Sequence, residues 1–276
     1  MKIYVAYHKS FPVAKTDVLT PIWAGKAVSK AHLNFIGDDT GNNISQKNPY
    51  FSELTVLYWI WKNSKEDIVG LCHYRRYFNF MNDRVKINKI TKNLGQYTGN
   101  TAKKIYPLFD TYDIILPNLQ GKKRNPISLY DQYAQEHISH DIDLVLKVIK
   151  EKYPNQYKIA HQTLKTATKG YFANMLLAKK KVFDAYAKWL FDILFEVEKQ
   201  IQPKVLKRTP YQQRVYGFLS ERLMTVYIAL HPELKVKTVP CLFIEEDKKE
   251  YRKYMMRYYK RKILTAIGLR KKDGKN

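Results

Sequence analysis

Acidic residues are scarce in this chain of 276 residues: 25 Asp and Glu stand against 49 Lys and Arg, a formal net charge of +24. Cysteine is scarcer. Cys72 and Cys241 lie singly in apolar runs (IVGLC and VPCLFI). Two isolated thiols make neither a disulfide framework nor a cysteine metal cluster, and they fit a reducing cytoplasm. Only 11 glycines accompany 45% hydrophobic and 14% aromatic residues, 22 of them tyrosine. That balance excludes disorder except at the extreme C-terminus. No run approaches ~18 apolar residues, the length needed to span a bilayer. The opening MKIYVAYHKS reads as a strand and lacks the zones of a signal peptide. Repeats, low-complexity stretches, and zinc, helix-turn-helix and RNP-like motifs are missing too. The expectation is a soluble or peripheral cytoplasmic protein with one large α/β domain or two small ones.

A net charge of +24 requires an anionic partner or surface: nucleic acid, anionic lipid or a phosphorylated substrate. Residues 248–276 hold 12 Lys and Arg against Glu250 and Asp273, so about a tenth of the chain carries +10. In this tail Tyr251, Tyr254, Met255, Tyr258, Ile263, Ile267 and Leu269 mostly recur at three or four, the pattern of a helix lying in a membrane interface. The alternative is a solvated tail, or a helix docked on the domain. We divide the chain into a domain over 1–245 and a basic amphipathic C-terminal helix over 246–276.

Within the domain, 2–9 reads as a buried strand with polar residues at its end, and 32–50 as a turn-rich loop. A helix over 52–63 has Ser52 as N-cap. Strands follow at 67–78 and 112–117, then one long helix from Ser128 to about Lys152, stopped before Pro154. Further elements are a strand within 171–180, helices over 182–201 and 211–231, and a strand pair, VKTVP and CLFIEE. Strands alternating with helices predict a mixed, mostly parallel sheet covered on both faces. Its ligand crevice lies beyond the carboxyl ends of the strands. Three strands end in polar groups: at His8 and Lys9, at His73 to Arg76, and in the loop after Pro117.

The segment HYRRYF (73–78) carries the most chemistry. Alternation along a strand puts His73, Arg75 and Tyr77 on one face, with Tyr74, Arg76 and Phe78 on the other. Adjacent arginines at the mouth of a buried strand call for an anion, and a diphosphate suits their fork of donors. The alternative is a structural pair of ion-paired arginines.

NNISQKNPYFSELTVLYWIWKN, GLCHYRRYF, YDIILP, YFANMLLAKKKVFDAYAKWLFDILFEVEK and QQRVYGFLSERLMTVYIALH together resemble a bacterial family first catalogued as a domain of unknown function in capsule and exopolysaccharide gene clusters. The likeness runs from residue 2 to about 245. It implies a GT-A-type fold and a glycosyltransferase, and similar members transfer galactofuranose from UDP-galactofuranose. Transfer of a sugar from a UDP-sugar donor to a lipid-linked or growing polysaccharide acceptor, at the inner face of the plasma membrane, is the expectation it carries. The HYRR block stands about where many GT-A enzymes carry an Asp-x-Asp metal site. That acidic pair is absent here, which puts a divalent metal in doubt and favours neutralisation by arginine. On this reading Tyr7, His8, Lys9, His73, Arg75 and Arg76 bind the donor, with Asp38 and Asp39 holding the ribose or standing in a solvated turn.

Inversion at an anomeric carbon needs a base to deprotonate the acceptor hydroxyl. Tyr133, His137 and Asp141 are spaced by four and would share a helical face, Asp141 orienting His137. The alternative is a surface contact. Glu221, inside the apolar helix FLSERL, is the rival base or simply the partner of Arg222 or Arg214. Tyr133, Asn174 and Arg222 are the candidate acceptor contacts. Lys122, Lys123 and Arg124 form a basic loop fit for phosphate, or merely solvated. Glu53 and Asn48 read as caps as readily as site residues, and Trp59, Trp61 and Trp189 as core rather than sugar platforms. The competing functions are a nucleic-acid-binding protein, against which the missing motifs and terminal charge argue, and a non-catalytic scaffold of a polysaccharide assembly.

Overall fold

The computed structural model describes residues 1–14, 16–81, 98–121 and 125–244, and positions 248, 249, 252, 253, 255, 256, 259, 260 and 263 of the tail. Strands β1 (Lys2–Tyr7), β2 (Leu19–Trp23), β3 (Ile68–His73), β5 (Ile114–Pro117), β6 (Leu176–Lys179) and β7 (Val236–Val239) form one sheet in the order β2-β1-β3-β6-β5-β7. β1 is parallel to both β2 and β3, β5 is parallel to β7, and β6 runs antiparallel to β3 and β5. Five of these strands therefore point one way and β6 alone is reversed, the mixed, mostly parallel arrangement expected.

Strand parity sorts the side chains into two cores. Tyr4, Ala6, Val69 and Leu71 face the helices α1 (Leu54–Asn63), α2 (Leu129–Glu136), α3 (Ser139–Lys152), α4 (Pro154–Thr166), α5 (Lys180–Val205) and α6 (Val215–Leu230). Ile3, Val5, Tyr7 and Cys72 face the other way, into a smaller core with Phe78, Phe109 and Leu242. β3 and β6 approach closely at Gly70, where a Cβ would stand 2.8 Å from the Leu176 carbonyl oxygen.

Five local readings change. The run 67–78 is not one strand: β3 ends at His73, and Tyr74–Arg75 turn the chain back into β4 (Arg76–Phe78), which pairs with β8 (Cys241–Phe243). VKTVP and CLFIEE consequently pair with different partners rather than each other. Ser52 does not cap α1; it takes a positive φ of 52° in the corner between the turn Asn48–Phe51 and that helix. The helix from Ser128 breaks at His137, whose backbone is extended. Ser128 caps α2 by accepting from the Asp131 amide, and Gln212 donates to the Glu136 carbonyl that the break leaves open. The chain after Pro154, where no element was expected, forms α4 with proline at its first turn.

Candidate active site

The parallel strands β1, β2 and β3 deliver their carboxyl ends to a cavity of about 1220 Å³ on the helical side of the sheet. Its floor is Ala6, Ala24 and His73, its rim His8, Lys9 and the Tyr74–Arg75 turn, and its far wall the first turns of α6 and the end of α2. This is where a parallel sheet presents ligands, since the backbone has stopped pairing and side chains converge.

Among the described residues, five Lys and Arg line the cavity against three Glu, and no Asp. The hairpin register sets Arg76 directly opposite His73, so Arg76 joins His73 on the pocket side. Arg75 donates from Nε to the Ile244 carbonyl at 3.3 Å, and Arg76 lies over the Phe243 ring. Arg214 donates from Nε to Ser52 Oγ at 2.9 Å, and Lys9 stands over Tyr74. His8 feels the resulting field: burial, then Lys9 and Arg214, depress its pKa.

Two carboxylates face these cations in unlike settings. Glu53 accepts from Asn174 Nδ2 at 2.6 Å. Burial alone would push its carboxyl up, but His73, the Asn174 amide and Arg214 outweigh it and hold it below the ordinary range. Glu221 accepts from the Ala173 amide at 2.9 Å and from Arg222 at 2.9 Å. Its pKa is raised, chiefly by burial, with the charge of Glu53 adding to the effect. Arg222 is almost wholly buried and also donates to Phe218 O and Gln132 Oε1, fastening α6 to α2. His73 Nε2 lies 2.6 Å from the Ala173 carbonyl, which can only accept, so Nε2 carries the hydrogen. Burial lowers the His73 pKa against the opposing pull of Glu53.

The structure thus brings His8, Lys9, His73, Arg75, Arg76, His137, Glu221 and Arg222 to one cavity. It sends other expected residues elsewhere. Tyr7 is wholly buried in the second core, its hydroxyl 3.4 Å from that of Tyr77, because strand parity turns it away from the cavity. Asp38 is a buried clamp whose carboxylate accepts from the Gly25 and Lys26 amides, Ser45 and Thr55; no oxygen is left for a ribose. Asp39 pairs with Lys26. The break after Glu136 takes Asp141 off the face of His137, and Arg208 grips both its oxygens at 2.6 and 2.8 Å. His137 instead stacks on Phe218 and meets Gln212 Oε1 at 3.3 Å, with a pKa lowered mainly by burial. Tyr133 is fully buried beneath Arg222, out of reach of an acceptor. Asn174 stands behind Glu53 and does not line the cavity. Trp59 and Trp189 are buried in the core. Lys122, Lys123 and Arg124 lie outside the described residues.

Glu53 is the functional candidate that sequence reading undervalued. The available signal was an acid immediately preceding the largely apolar LTVLYWIW, with no cation beside it to pair. A divalent metal does not fit the donor set at the end of β3. His73, Arg75 and Arg76 stand there, and among the described residues no three His, Cys, Asp or Glu side chains are disposed to hold an ion.

Residues 2–232 match the family described as a domain of unknown function (DUF4422). Among solved structures, the apo form of the WbbM bifunctional glycosyltransferase is similar, with a TM-score of 0.78 and 31% identity. The match covers 88% of this chain and 45% of that one, so the chain spans less than half the length of that relative. No curated protein matches the chain. The α/β architecture is GT-A-like.

Proposed function

The chain belongs to that family, and from this premise we propose that it is a glycosyltransferase moving a sugar from a UDP-sugar donor to a growing polysaccharide or lipid-linked acceptor, with inversion. One observation carries the reading: Lys9, Arg75, Arg76 and Arg214 converge at the strand ends opposite Glu221. The likeness to a bifunctional glycosyltransferase supports it.

The cations suit a diphosphate whose negative charge grows as the glycosidic bond to it breaks. Glu221, with its affinity for a proton raised by burial, takes the acceptor hydroxyl proton. The acceptor oxygen then bonds to the anomeric carbon and UDP leaves with the electron pair. Glu221 displaces His137 as base, because the latter has lost the Asp141 partner that would strengthen it. Galactofuranose, which the family resemblance implies, is the first donor sugar to test. The basic tail would hold the enzyme at the inner face of the plasma membrane, beside a lipid-linked acceptor.

A screen of UDP-sugars with a lipid-linked acceptor, following UDP release, tests the reading; no release from any UDP-sugar counts against it. Titration with UDP and with duplex DNA at several salt concentrations separates the nucleic-acid alternative. DNA affinity that falls steeply with salt while UDP fails to bind would favour that alternative.

A further inference from the structure

Ala173 and Asn174 are consecutive non-glycine residues with positive φ, 79° and 47°, just before β6. Such backbone is disfavoured for Ala and more tolerable for Asn, and it persists only where the surroundings hold it. Three pocket side chains do so here. The Ala173 amide donates to Glu221 Oε1 at 2.9 Å, and its carbonyl meets His73 Nε2 at 2.6 Å. The side-chain amide of Asn174, buried at 5% exposure, donates to Glu53 Oε1 at 2.6 Å and to the Gly217 carbonyl at 3.1 Å. Two residues with reversed backbone therefore fix Glu53, Glu221 and His73 at once.

We propose that Asn174 is a positioning residue for the transfer reaction: its amide holds Glu53 against His73, so that Glu53 stays charged while Glu221 is left to carry the proton. This rests on the glycosyltransferase reading for its kinetic part only. The spacing of groups favours the division. An amide can donate to a carboxylate but gives nothing to a carboxylic acid's hydroxyl through the same hydrogen, so the bond selects the ionised Glu53. Glu221 also accepts two hydrogens, from the Ala173 amide and from Arg222, but burial, aided by the charge of Glu53, outweighs them and raises its pKa. Carboxylates pushed apart in this way take different roles in proton transfer. The charged and titratable groups acting on His73 are Glu53, Arg76 and His8; those acting on Glu53 are His73 and Arg214, with Glu221 nearby.

The test substitutes Asn174→Gly, which tolerates the positive φ but removes the amide, and Glu53→Gln, which keeps the shape and removes the charge. The first readout is the His73 titration by histidine NMR, which requires no substrate. Glu53 raises the His73 pKa, so both variants move the midpoint downward. The second readout is kinetic: N174G loses about 10²-fold in kcat, as a misplaced reacting group does, with KM for the donor little changed. A His73 midpoint unmoved in both variants overturns the proposal, as does wild-type kcat in N174G. Should N174G fail to fold, Asn174→Ala, which also lacks the amide, takes its place in both readouts. Should the midpoints move while no sugar is transferred even by wild type, the positioning stands and the glycosyltransferase reading falls.

Discussion

Asp141 and Arg208 form a two-point ion pair, with guanidinium nitrogens 2.6 and 2.8 Å from the two carboxylate oxygens and side-chain exposures of 1% and 11%. It ties the first turn of α3 to the segment after α5. Removing one partner leaves the other charge buried without compensation, which costs about 3–5 kcal/mol. Asp141→Asn is therefore expected to lower the urea midpoint sharply and leave UDP affinity of the folded protein unchanged. Full stability with lost UDP binding would return Asp141 to the site.

Arg75 and Arg76 should each contribute to nucleotide affinity. Charge-assisted hydrogen bonds are worth roughly 1.5–3 kcal/mol, which is about tenfold to a hundredfold in Kd. Calorimetric titration of R75A and R76A with UDP checks this. Wild-type affinity in both variants would make the pair structural, Arg75 through its bond to the Ile244 carbonyl.

Glu221→Gln should reduce kcat by about 10²-fold or more with donor affinity retained, the usual size of an acid–base contribution. A base works deprotonated, so wild-type turnover falls as pH falls through the Glu221 pKa. Because that pKa is raised, the acid limb of the kcat profile should lie above the ordinary carboxylate range, and E221Q should lose it. His137→Ala serves as the rival. A larger loss in H137A than in E221Q, with both folded, would move the base to His137.

Most of the sheet and the polar strand ends gathered at the cavity were legible because both follow from short-range pattern, whereas β2 was not read. IYVAY and IVGLC are buried throughout, as strands covered on both faces must be, and polar residues right after them mark the strand ends. Local spacing misled wherever a tertiary partner decided the outcome. Nothing in QEHISHD announces that Gln212, from a distant segment, will satisfy the α2 carbonyl and let the helix break at His137. Asp38 looked like a ligand residue because its four donors come from Gly25, Lys26, Ser45 and Thr55, separated along the chain. Tyr7 was legible and missed: period two alone assigns it to the face opposite Ala6.

The tail gives the last prediction. All its described positions are helical, and Met256, Tyr259 and Ile263, spaced by three and four, expose 65%, 55% and 59% of their surface. Lys248, Lys249, Arg252 and Lys260 are exposed as well. Tyr251, Tyr254, Tyr258, Ile267 and Leu269 lie outside the described residues, and Met255 is half-buried. Among the described residues no helix is long and apolar enough to cross a membrane. An exposed apolar stripe amid cations suits a helix lying in the headgroup layer. Each Lys or Arg near an anionic leaflet contributes about 1 kcal/mol, screened by salt. Deleting residues 248–276 should therefore abolish sedimentation with phosphatidylglycerol vesicles while UDP binding persists, since no described tail residue lines the cavity. Full-length binding should weaken as salt rises and disappear on zwitterionic vesicles. Vesicle binding that survives the deletion, or a full-length protein indifferent to anionic lipid at low salt, would show that the charge of the tail serves something else.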